Sequence, residues 1–294
     1  MQYHIRLSIT YEYANRATGG RHLLRLLPLD IPGVQAVTHD VLAISPRPTE
    51  RGEFTDFFGN PTVEMALTSD HSKIVFTATA RVDRTYPGPG TDTSGPLAAL
   101  PAELRAWRAL DGTSPHHFLH ASPRIHVTPD ITAYARSKTR TARTARTVRQ
   151  AVEALGMALH RDMKFDARAT TVDTPPSEAF ARRIGVCQDF AQVMIAGLRG
   201  IGIPSGYVSG FLRTVPPPGK PRLEGADAMH AWVRAWCGAT AGWIEFDPTN
   251  ACLVGQDHVV VGYGRDYGDV APVAGVLRIS GRQKSKQAVD VIAL

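Results

Sequence analysis

Cysteine is scarce in this chain: 294 residues contain only Cys187, Cys237 and Cys252. Three thiols cannot build a framework of bridges, so a disulfide-stapled fold is excluded, and the odd number fits a reducing compartment. No stretch reaches the roughly 20 apolar residues that a helical bilayer crossing needs. Nor does the opening Met1-Gln2-Tyr3-His4-Ile5-Arg6 resemble a signal peptide. A soluble, cytoplasmic protein with no membrane partner is expected. CxxC and HExxH pairs, a phosphate loop and a calcium loop are all missing, so no metal or other cofactor is expected.

Charge of either sign is also modest, with a formal net value of +6. Arg140, Arg143 and Arg146 recur in a short Thr/Ala/Arg repeat and would share a helix face. No aromatic residues interleave with them, so a solvated face is the reading and no nucleic-acid partner is expected.

What the chain does have is patterned sequence. Tyr3, Ile5, Leu7, Ile9, Tyr11 and Tyr13 share one parity, and His4, Arg6, Ser8, Thr10 and Glu12 the other. Period two puts the first set on a buried sheet face. Ile74, Phe76, Ala78, Ala80 and Val82 repeat the signal, and shorter candidates lie at 23–28, 34–44 and 64–67. Residues 1–95 are therefore expected to form an antiparallel, sandwich-like β domain. Residues 96–294, the C-terminal strands included, are assigned to a second domain. In it, 130–160 reads as helical, with an apolar stripe at Val148, Val152, Leu155 and Leu159. Phe190, Met194, Ile195 and Leu198 mark another helix, and 206–212, 230–236 and 243–246 read as strands. A Pro-rich excursion at 216–221 separates the first two of these strands.

Three residues in this second part suggest chemistry. Cys187 stands where the helix pattern begins, and at a helix N-terminus the exposed N–H groups favour a thiolate over a thiol. His230 lies in an alternating strand and can exchange a proton with the sulfur. Asp247 follows the next strand and can hold the far imidazole nitrogen, fixing tautomer and orientation. Each has a plainer alternative: a buried apolar cysteine, a structural histidine, and a turn aspartate before Pro248 that satisfies local amides. Gln188 is a weak candidate for a side-chain oxyanion donor beside the Cys187 N–H. Asp189 is a candidate to pin the helix start, and Trp232 and Trp243 either line a slot or fill the core.

These contexts also carry a family likeness. Residues 185–191 (GVCQDFA), 198–212 (LRGIGIPSGYVSGFL), 227–233 (DAMHAWV) and 242–250 (GWIEFDPTN) resemble the bacterial branch of the transglutaminase-like superfamily. Residues 56–60 (DFFGN), 257–258 (DH) and 264–272 (GRDYGDVAP) extend the likeness over nearly the whole chain. The resemblance implies an α+β fold, with a β-sandwich-like N-terminal domain and a papain-like transglutaminase core. It implies Cys187, His230 and Asp247 as catalytic residues, and attack on a carboxamide through a thioester.

Hydrolysis of an amide or peptide bond in a peptide or protein substrate is the expected outcome. Transfer to a primary amine, as in a protein-glutamine transglutaminase, is the alternative. A noncatalytic peptide-binding module is the third reading. Two positions depart from the family pattern: Gln192 replaces a common histidine, and Gly206 replaces the usual arginine.

Overall fold

The N-terminal alternation runs further than the sequence shows. β1 (Gln2–Leu24) is a single strand shared by two halves of a curled seven-stranded sheet. The computed structural model describes residues 1–140, 146–214, 225 and 227–294. The first half of β1 pairs antiparallel with β5 (His71–Arg84), and Tyr3, Ile5, Leu7 and Ile9 are buried with Phe76, Ala78, Ala80 and Val82. Each such aliphatic or aromatic side chain contributes on the order of 1.5–3 kcal/mol by leaving water. The second half pairs with β4 (Pro61–Leu67), beside which lies β3 (Glu50–Thr55). β2 (Gln35–Ser45) flanks β5 on its other side.

The assignment of the C-terminal strands to the second domain does not describe their pairing. β13 (Val273–Arg278) hydrogen-bonds to the second half of β1, and β14 (Gln283–Ala293) to its first half, from Tyr13 back to Tyr3. An unpaired β1 edge would leave a row of exposed N–H and C=O groups, and these two strands cover it.

The second unit is a helical layer on a five-stranded antiparallel sheet. The strands are β8 (Ser205–Leu212), β9 (Ala228–Trp236), β10 (Trp243–Asp247), β11 (Cys252–Leu253) and β12 (His258–Gly264). Their order is β11-β10-β9-β8-β12. α5 (Cys187–Gly200) packs across β8 and β9, surrounded by α2 (Pro129–Thr139), α3 (Val148–Asp162) and α4 (Pro176–Arg182). Phe190, Val193, Met194 and Leu198 of α5 meet Ala231, Val233 and Ala235 of β9 in one core. The smaller elements are α1 (Leu100–Ala106), the two-residue strands β6 (Lys164–Phe165) and β7 (Ile184–Gly185), and α6 (Tyr267–Val270).

The helical stretch expected over 130–160 is two helices. The backbone is extended at Arg140, just past α2, and α3 starts on a capping box in which Thr147 and Gln150 satisfy each other's N–H groups. Arg140 and Arg146 lie outside both helices, and Arg143 lies outside the described residues, as does the 216–221 excursion.

β12 joins the two units. Its Val259 and Val261, with Phe211 of β8, enter the core built on β1. The buried Gln35 amide donates to the Val260 carbonyl at 2.8 Å and accepts the Val260 N–H at 2.9 Å. Asn60, in the DFFGN turn, treats Tyr263 the same way, donating to its carbonyl at 2.8 Å and accepting its N–H at 2.7 Å. Buried polar groups on both sides are thereby satisfied, which fixes the register of the joint.

Candidate active site

Cys187 is the first residue of α5, half-buried at the helix start. Asp189 pins that start: its Oδ2 accepts the Val186 N–H at 2.8 Å and the Thr170 hydroxyl at 2.6 Å. A Cβ on Gly185 would stand 2.6 Å from the Asp189 carboxyl, so the residue two before the helix must be small. The N–H groups of the first turn have no partner within the helix, and a negative charge on sulfur sits at the favourable end of the helix dipole. Gln188 points elsewhere: its amide donates to the Val172 carbonyl at 3.0 Å, tying the helix to the preceding loop.

β9 and β10 are neighbours, so His230 and Asp247 meet without a long reach. His230 Nε2 lies 2.7 Å from Asp247 Oδ2, with His230 only 9% exposed and Asp247 fully buried. Cys187 stands close enough to help keep the His230 imidazole charged. With Nε2 committed to Asp247, Nδ1 is the nitrogen left for sulfur. The structure thus brings all three sequence-predicted residues together.

Both sequence readings of Asp247 are realised, one on each oxygen. Oδ1 accepts the Thr249 and Asn250 N–H groups at 2.8 and 3.1 Å, closing the turn after Pro248. Oδ2 accepts from His230, from the Asn250 side-chain amide at 2.7 Å and from His258 Nε2 at 3.1 Å. Burial opposes ionisation of Asp247, but the bonds from His230 and His258 outweigh it and hold the carboxyl far below its usual range. Burial likewise disfavours a charged His230. The Asp247 bond first, then the neighbouring Cys187, lift its imidazolium to about 10. At neutral pH the pair is an imidazolium facing a carboxylate.

Sequence reasoning gave no role to His258. β12 is three strands from β10 in the sheet order, yet His258 reaches Asp247. No periodicity reports such a contact between distant strands. Trp232 backs both imidazoles, its ring 6.2 Å from that of His230 and 5.2 Å from that of His258. It is fully buried and donates to Glu245 at 2.6 Å, which makes it core and not the wall of an open slot. Trp243, whose indole N–H donates to the Thr113 carbonyl at 3.0 Å, packs edge-on against Phe118.

The donor atoms of His230, Asp247 and His258 lie within 4.8 Å of one another and are the one group of described residues with metal-ligand spacing. Ligands around a tetrahedral zinc stand roughly 3.3 Å apart. At 2.7 Å, His230 and Asp247 are closer than that, and Oδ2 already accepts three donors. The cluster is arranged as a hydrogen-bond network.

Two glycines under the site follow from packing. A Cβ on Gly206 would come within 2.7 Å of the Gly264 carbonyl and 2.8 Å of the Phe118 ring. The arginine usual here in the family has no room. A Cβ on Gly210 would fall 2.2 Å from the Trp232 ring and 2.3 Å from the Val259 carbonyl. Gly210→Ala is therefore expected to cost about 3 kcal/mol through overpacking, read as a lowered denaturant midpoint. Gln192 is buried, and its Oε1 meets no donor among the described residues.

Comparison with known proteins agrees with this architecture. Residues 3–83 match the bacterial transglutaminase-like N-terminal region, and residues 132–248 match the transglutaminase-like superfamily core. The chain belongs to the transglutaminase-like superfamily. The uncharacterized Mycobacterium tuberculosis protein Rv2569c is 35% identical over 94% of this chain and 87% of its own length. The uncharacterized Mycobacterium leprae protein ML0607 is 27% identical, covering 98% and 97%. A proposed cysteine protease from Cytophaga hutchinsonii has the same transglutaminase-like fold, with a TM-score of 0.73 at 21% identity over 100% of this chain and 91% of that one. No described helix is long and apolar enough to cross a membrane.

Proposed function

We propose that this transglutaminase-like protein hydrolyses amide or peptide bonds in peptide or protein substrates through a thioester on Cys187. The observation that carries the reading is the buried His230–Asp247 pair beside a cysteine at a helix N-terminus. The sulfur, as thiolate, attacks the carbonyl carbon and forms a C–S bond. The resulting oxyanion is met by the N–H of Cys187. His230 Nδ1–H gives its proton to the leaving nitrogen as the C–N bond breaks, releasing an amine. Water then attacks the thioester, His230 takes its proton, and the thiolate departs from the acid product. Asp247 stays ionised throughout, holding the imidazole and its transient charge.

The test is product mass. A library of glutamine-containing peptides is incubated with and without a primary amine. Cleaved or deamidated peptides, unchanged in amount by the amine, are expected. An amine-linked product as the main species would overturn hydrolysis in favour of amine transfer.

A further inference from the structure

Asp247 serves two imidazoles, and the second is held as firmly as the first. His258 is 5% exposed. Its Nδ1 accepts the Gly255 N–H at 3.4 Å, so the ring proton sits on Nε2 and is donated to Asp247 Oδ2. The Trp232 ring stands edge-on against it, and Val259 and Val261 anchor the strand in the neighbouring core. The ring has little freedom to turn away.

We propose that His258 is a positioning residue: its N–H keeps the Asp247 carboxylate aimed at His230 and draws off part of the charge that His230 would otherwise feel. This rests on the reading of the site given above. Oδ2 receives three donors, so what His258 takes is withheld from His230. Without that donor the carboxylate concentrates its charge on His230, making the imidazolium a weaker acid toward a leaving amine. The other titratable groups facing the pair are Cys187 at the start of α5 and Cys252, paired with Asp247 from β11. Neither donates to Asp247 among the described residues, so on Oδ2 His258 and the Asn250 amide are the donors that compete with His230.

The experiment compares wild type with His258→Phe, which keeps the ring and removes the donor, and His258→Gln, whose amide N–H can reach the same oxygen. The ring of His230 is titrated by nitrogen-15 NMR, a readout that needs no turnover, and kcat and KM are measured in parallel. In His258→Phe the His230 midpoint is expected to rise by about one pH unit, and kcat to fall ten- to a hundredfold with KM within threefold. His258→Gln is expected to return both toward wild type. If His258→Phe does not fold, His258→Asn, too short to reach Asp247, takes its place. An unchanged His230 midpoint in a folded donor-free variant overturns the proposal, whatever the turnover. Shifted midpoints in a protein without any amide turnover support it and sink the hydrolase reading instead.

Discussion

Cys187→Ala is expected to lower amide turnover by at least about 10⁴-fold, because no other described nucleophile stands against His230. The same variant should unfold within a few degrees of wild type. Alanine suits the first turn of a helix, the half-buried thiol fills little core, and Asp189 still satisfies the Val186 N–H. Labelling by an amide-ended electrophile, located by peptide mass, should vanish with the activity. Turnover that survives the substitution in a folded protein would end the thioester mechanism.

Asp247→Asn should be as damaging and, unlike the first, should also destabilise. Its side-chain nitrogen would set a donor where three donors now converge, or turn that clash onto the Thr249 and Asn250 amides. Breaking a buried charged pair costs roughly 3–5 kcal/mol, and replacing the aspartate behind a catalytic imidazole by asparagine costs about 10⁴-fold in kcat. The pH dependence has a definite sign. His230 titrates at 6.5 when unconstrained and at about 10 here, so its share of stability is complete below pH 6.5 and is lost as pH rises through about 10. Asp247 is depressed from 3.8, so its share is complete above that value and is lost only as pH falls well below it. The penalty of Asp247→Asn should therefore be largest between about pH 4 and 6.5 and shrink steadily toward pH 10. Urea titrations across that range measure it. The alkaline limb of kcat/KM, expected near pH 10 in wild type, should fall toward the ordinary imidazole value in the variant. A penalty that does not vary with pH would mean that the two groups are not a charged pair.

Much of this site was legible in advance because its parts are local. A helix start shows in the onset of a 3.6-residue pattern after Gly185 and Val186, and a strand shows in the alternation around His230. Asp247 before Pro248 announces a turn. What the sequence could not show is convergence. His258 reaches Asp247 although two strands lie between theirs in the sheet, and nothing in its sequence neighbours reveals that contact. β3 escaped notice for the opposite reason: all six of its residues are exposed, so no buried parity marks it. The 14–16 stretch hid the true length of β1, since three exposed residues interrupt the alternation while the strand runs on. Gly206, where the family usually has arginine, has a steric cause that the sequence does not show: Phe118 occupies the space an arginine would need.

The pairing of β14 with β1 has a consequence for how the molecule is made. Residues 283–293 emerge from the ribosome long after β1, yet they close one flank of it. Until they arrive, the first half of β1 has a bare flank, open to pairing with another chain. Completion of this sheet must wait for β14, so a translation product stopped before it would leave β1 exposed along one side.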